Sequence, residues 1–244
     1  MATNPMHQFS VHRIGPEIKI AGIDLSFTNA SLFMVISAFT IFVFLSLGTK
    51  EKNLIPGKLQ LISEMLYNFI AKMISDTAGS KAKPYFPFIF SLFTFVLFCN
   101  MIGMLPYSFT VTSHIIVTLV LAIFIFIAVT VIGFIKHGLG YLKLFVPSGV
   151  PKLLLPLIIV IEIISYLSRP VSLSVRLFAN MMAGHTMLKV FGGFVISLGL
   201  LGGWLPLGFS VALTGLEILV AFLQAYVFAI LTCIYLNDAL NLHH

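Results

Sequence analysis

Long uninterrupted apolar runs constrain this chain more than any other feature of its sequence. Runs at about 28–47, 85–106 and 115–135 each approach the roughly 20 residues that carry a helix across a bilayer. After Lys152 the apolar character continues almost to the end of the chain. Only 9% of the 244 residues are charged and the mean hydropathy is +1.08, whereas soluble domains carry roughly 25% charged residues. The chain is therefore read as all-α and polytopic: about five membrane-crossing helices, an amphipathic surface helix, and a C-terminal hairpin of two long, inclined helices. Residues 1–244 form one membrane domain in this reading. The lipid bilayer is its main solvent.

The apolar stretch after Lys152 divides best near Gly199–Pro206, where Gly199, Gly202, Gly203 and Pro206 can form a turn. This makes 152–236 a helical hairpin. The net charge of +6 is not one basic patch, so it does not indicate nucleic acid. Lys50, Lys52, Lys58, Lys72, Lys81 and Lys83 lie between the first two runs, and Lys136, Lys143 and Lys152 follow the third. Lysine-rich loops favour the cytoplasmic side, which places the N-terminal tail, 1–27, outside and the C-terminus in the cytoplasm. That tail lacks the basic start and apolar run of a secretory signal.

In the connection 54–80, Leu54, Leu61, Ile62, Met65, Leu66, Phe69, Ile70 and Ile74 recur at helical spacing beside Lys58, Gln60, Glu64, Lys72 and Asp76. This is the pattern of a helix lying along the membrane surface, or equally of a loop helix packed on other protein. His137–Pro151 holds three glycines and two prolines and reads as an irregular connector. Cys99 and Cys233 lie in apolar runs and read as small buried hydrophobes. Metal-ligand spacing, a glycine-rich phosphate loop and a nucleophile triad are all missing, so no metal, no cofactor and no catalytic residue is assigned.

The last two helices nevertheless carry Glu162, Arg169, Arg176, His185, Lys189 and Glu217. A charged residue at a helix centre costs on the order of 3 kcal/mol even on the lenient insertion scale. Glu162, Arg169 and Arg176 recur every seven residues and share one helix face. Arg176 is the most telling of the three, because a guanidinium cannot shed its proton to escape the penalty. It must find a partner, phosphate headgroups, water or a function. Asn180 follows one turn later on the same side. On the final helix Glu217, Gln224 and Tyr235 line one face, and a hairpin turning near residue 203 brings His185 between Glu217 and Gln224. An imidazole beside a carboxylate suits proton transfer near neutral pH. Lys189 can snorkel outward or pair with Glu217, and Arg169 can anchor its helix near the cytoplasmic boundary.

The run from Arg169 to His185, RPVSLSVRLFANMMAGH, closely resembles the signature of the ATP synthase a subunit family. Glu162, the segment Leu223–Phe228 around Gln224, and Asn100–Pro106 agree with it too, so the resemblance covers nearly the whole chain. Asn4–Phe9 and Asp24–Asn29 look like alphaproteobacterial members, with mitochondrial ones as near relatives.

The resemblance implies a proton-translocating stator subunit, not catalytic by itself, in the bacterial (or mitochondrial) inner membrane. Its implied partners are the c-subunit ring, the peripheral-stalk b subunits and the rest of the ATP synthase complex. Arg176 takes the position of the arginine facing the rotor, with Asn180 and Gln224 near it. His185 and Glu217 match two polar positions of the outer half-channel, and Glu162 one of the cytoplasmic half-channel. Some bacterial members carry an acid at the first and a histidine at the second of those outer positions; this chain has the reversed pair, as in the mitochondrial arrangement. The rival classes are a secondary transporter with Arg176 binding a small anion at mid-membrane, and a purely structural membrane scaffold.

Overall fold

The computed structural model describes residues 9–17, 19–20, 23–24, 26–50, 56–105, 108–146 and 154–241. Five helices in it are long and apolar enough to cross a membrane, as the apolar runs predict. They are α1 (Asn29–Lys50), α3 (Phe86–Gly103), α4 (Ile115–His137), α5 (Leu155–Gly202) and α6 (Trp204–Leu240); the shorter α2 (Lys58–Ala78) lies between α1 and α3. Extended pairing among the described residues is slight: β1 (Lys19–Ile20) against β2 (Ile23–Asp24), antiparallel, and an isolated antiparallel bridge between Arg13 and Thr28. Leu54, Lys152 and the connector residues 147–151 lie outside the described residues.

The helix ends follow local chemistry. Prolines in the first turn open α3 and α5, where the missing N–H is not needed. Residues 138–145 continue past α4 as a tighter helix, where an irregular connector was expected. The hairpin turn falls where the glycines stand. Gly199 has φ 59°, ψ −154°, a conformation that a side chain would strain, and α6 begins at Trp204. The 44 residues from 155 to 198 run about 66 Å at the α-helical rise, against a hydrocarbon core of about 30 Å. Such a helix crosses steeply inclined or reaches well beyond the lipid.

The α5–α6 hairpin is the centre of the molecule. Leu173, Leu177 and Met181 of α5 and Ala221, Ala225, Phe228, Ala229 and Leu236 of α6 are buried in one core with Ile89, Phe93 and Val96 of α3. The alanines of α6 let neighbouring backbones approach closely, the usual means of helix association in lipid. The amphipathic reading of α2 resolves into two apolar sides. Ile70 and Ile74 are buried, and the Phe69 ring meets Phe93, Phe222 and Tyr226 at centroid distances of 5.7–5.9 Å. Leu61, Ile62 and Met65 remain exposed. Cys99 and Cys233 are buried and unbridged.

Candidate functional site

The hairpin brings His185 and Glu217 together: Nδ1 of His185 lies 3.3 Å from Oε1 of Glu217. Both are buried. A third element completes this cluster, the loop between α3 and α4. Thr110 Oγ1 is 3.0 Å from His185 Nε2 and donates to the Gly103 carbonyl at 3.1 Å. Two residues further on, Thr112 donates to Asn100 Oδ1 at 2.8 Å, and Asn100 Nδ2 donates to the Ala221 carbonyl at 3.2 Å. The loop thus holds the imidazole directly and, through Asn100, the turn of α6 that follows Glu217. It is Lys189 that stays apart: it is exposed, and His185 rather than Lys189 meets Glu217.

Arg176 is exposed on α5. Nine residues separate it from His185, which is two and a half helical turns. The two therefore point to opposite sides of α5, about 13 Å apart along its axis, and His185 faces the bundle while Arg176 faces away from it. Asn180 is half-buried one turn from Arg176, and Gln224 is buried on α6.

Toward the other end of the hairpin lies a second polar cluster. Arg169 Nη1 is 3.2 Å from Asp238 Oδ2, and its guanidinium lies 4.9 Å from the Tyr235 ring centroid and 5.5 Å from that of Tyr166. Delocalised guanidinium stacks well on such faces. Beneath it runs a chain of hydroxyls. Thr130 donates to the Phe126 carbonyl at 2.7 Å, so it accepts from Tyr166 at 2.6 Å, and Tyr166 in turn accepts from Tyr141 at 3.0 Å. Glu162, one turn before Tyr166, is half-buried. Tyr235, expected on the face of Glu217 and Gln224, belongs by contact to this cluster.

The two clusters are about 24 Å apart along α5, from Arg169 to His185. Between them the hairpin interface is Leu173, Leu177 and Met181 against Ala225, Phe228 and Ala229, all buried; the buried polar exceptions are Gln224 and Ser174, whose hydroxyl is returned to the Val171 carbonyl. Polar groups thus reach into the hairpin from two ends and stop at an apolar middle, with one arginine on the outer surface beside it. Sequence reasoning singled out His185, Glu217 and Arg176 but not Thr110, Thr112, Asp238, Tyr141 or Tyr166.

Known proteins give the arrangement its context. A protein-family model described as ATP synthase A chain matches residues 31–237. The chain is 80% identical over 244 residues to ATP synthase subunit a of Pelagibacter ubique, covering all of both chains. It is 60% identical over 250 residues to ATP synthase subunit a of Chelativorans sp., again covering all of both. With ATP synthase subunit a of Rhizobium rhizogenes the identity is 61% over 247 residues, covering 99% of this chain and 98% of the relative.

Proposed function

The chain belongs to the ATP synthase A chain family, a multi-pass membrane subunit without catalytic activity of its own, and from that premise we propose that it conducts protons against a rotating ring of c subunits. One observation carries this reading. Of the three arginines, Arg13 pairs with Glu17 and Arg169 with Asp238, while Arg176 has no hydrogen bond or ion pair among the described residues. A guanidinium keeps its charge, and among the described residues no carboxylate is paired with it, which leaves it open to a counter-charge from a partner. A rotor carboxylate, ionised only while it is beside Arg176, supplies it.

The surroundings of Arg176 support such a moving contact. Ser165, Ser168, Ser172, Ala179 and Ala183 are exposed on its face of α5, and small residues let a partner helix approach closely. The His185–Glu217 cluster ends an outer half-channel. Glu162 and the neighbouring hydroxyls of Tyr166 and Tyr141 begin the cytoplasmic one. A proton from outside neutralises the rotor carboxylate, which can then face lipid, and it leaves on the cytoplasmic side after nearly a full turn. Asn180 and Gln224 flank the last step from the loading pair to the rotor. Arg176 favours the deprotonated rotor carboxylate and repels protons that would cross directly. Each charge moving through 100 mV releases about 2.3 kcal/mol.

The lysine-rich loops put the N-terminus outside and the C-terminus in the cytoplasm of a bacterial inner membrane, with peripheral-stalk b subunits as further partners. An anion carrier would hold its arginine in an enclosed cavity, whereas Arg176 stands on an exposed face. Arg176→Ala in the complete, reconstituted ATP synthase tests the reading: the complex should assemble and lose proton-driven ATP synthesis. Arg176→Lys should fail nearly as fully, because an ammonium lacks the planar fork and sheds its proton more readily on desolvation. Synthesis near the wild-type rate by the alanine variant would overturn the assignment.

A further inference from the structure

The geometry points to Thr110 as the positioning residue that decides which proton of the His185–Glu217 pair can move. This inference rests on the pair being the outer proton-loading site. A threonine hydroxyl has one proton and can also accept. Thr110 Oγ1 lies 3.1 Å from the Gly103 carbonyl, which can only accept, so the hydroxyl proton is directed there. Toward His185 Nε2, at 3.0 Å, the hydroxyl is then an acceptor, and Nε2 must carry a proton. That leaves Nδ1 facing Glu217 Oε1 at 3.3 Å. Two unprotonated atoms there would oppose their lone pairs. Both Glu217 oxygens are also buried without a hydrogen-bond donor among the described residues, a costly state for a carboxylate.

A second proton between Nδ1 and Oε1 removes both penalties. Imidazolium with carboxylate, and neutral imidazole with carboxylic acid, are two forms of that same two-proton pair, whose titration belongs to the pair as a unit. Loading forms one N–H or O–H bond within the pair from a hydronium in the outer water. Unloading breaks that bond and passes the proton to the next water, while the Nε2–H bond to Thr110 persists throughout. Without the Thr110 acceptor, the imidazole can place its only proton on Nδ1 against ionised Glu217. The pair is then satisfied with one proton fewer, and the next proton must go to an Nε2 that faces no acceptor.

The other groups around the imidazole do not perform this role. Lys189, one turn along α5, is exposed. From α3 comes the uncharged Asn100, held by Thr112. From the loop comes His114, whose ring is stacked on Phe109.

The test uses the complete ATP synthase carrying Thr110→Val or Thr110→Ser, reconstituted in vesicles, with proton flux measured against outside pH. Nitrogen NMR of the histidine-labelled complex, assigned by difference from His185→Gln, reads the tautomer. The wild type should give a protonated Nε2. Thr110→Val should lose that signature and move the flux profile about one pH unit to the acid side, roughly the effect of one lost hydrogen bond. Thr110→Ser should restore both. A wild-type spectrum with Nε2 bare, or a Thr110→Val enzyme with the wild-type profile, overturns the inference. If His185→Gln itself leaves flux untouched, the loading-site reading falls. If it abolishes flux while Thr110→Val behaves as wild type, only the role of Thr110 falls.

Discussion

Gly184 and Glu217 share a space that has no room for one more methyl group. A Cβ on Gly184 would stand 2.7 Å from Oε1 of Glu217 and 3.1 Å from its Cδ. Gly184 lies within α5 at an ordinary helical backbone, so alanine there should favour the helix by about 1 kcal/mol while displacing the carboxylate. Gly184→Ala is expected to leave thermal stability unchanged or raised and to lower proton flux about tenfold, less than the roughly 10²–10⁴-fold that one general acid–base group contributes, because the carboxylate is displaced and not removed. Paired melting curves and flux measurements on the assembled complex check this. Undiminished flux would mean that Glu217 has slack or lies off the proton path.

Arg169 and Asp238 tie the two hairpin helices together far from their turn, with side chains 26% and 30% exposed. Asp238→Asn should destabilise the complex by about 1–2 kcal/mol, as expected when a partly buried charged hydrogen bond loses one charge. Arg169→Gln combined with Asp238→Asn should cost less than the two single changes added together, because no unpaired charge remains. Full additivity in a denaturation series would show that the pair is not coupled.

His114 offers a pH test at the edge of the membrane. It caps the start of α4 with its imidazole stacked on Phe109 at 5.1 Å, and burial pushes its pKa below the ordinary imidazole range. A depressed histidine binds its proton later when the loop is closed than when it is open. The closed loop is therefore at full stability above the ordinary value of about 6.5 and weakens as pH falls through it. Hydrogen exchange of the 108–114 amides, corrected for the intrinsic pH dependence, should rise between pH 7.5 and 5.5. His114→Gln should remove that rise. Protection independent of pH in the wild type would refute the argument.

The orientation has its own experiment. Lys81 donates to Asn241 at 2.8 Å, so the α2–α3 connection and the end of α6 lie on one side. In a background of Cys99→Ala and Cys233→Ala, single cysteines at Lys81 and Lys143 should react with an impermeant reagent only from the cytoplasmic face. Reaction from outside at either position would reverse the topology and exchange the two half-channels.

The sequence made the spans legible because bilayer thickness imposes one length on every crossing, and the runs around Phe93 and Ile125 have it. The His185–Glu217 contact was legible for a related reason: two antiparallel helices leaving a glycine turn have only one register. The half-turn separating His185 from Arg176 followed from their nine-residue spacing, yet it becomes meaningful only once the buried face of α5 is known. Arg169 read as a lone anchor because its partner, Asp238, lies 69 residues away near the C-terminus. Thr110, Asn100 and Tyr166 were harder still. Neutral hydroxyls and amides within apolar runs carry no charge penalty to flag them, and Thr110 meets His185 across 75 residues.

The apolar middle of the hairpin has an electrical consequence. Under the proposed half-channels, water and polar groups entering from each face stay near the potential of their own side, so the membrane voltage falls across whatever remains dry. Here that is the stretch from Leu173 to Met181, buried against α6 and about 12 Å long at the helical rise, instead of a hydrocarbon core of about 30 Å. The same voltage over that shorter distance gives a field about two and a half times steeper than in uninterrupted lipid. Arg176 stands inside this interval, so a rotor carboxylate passing it would experience most of the drop within a single step of rotation.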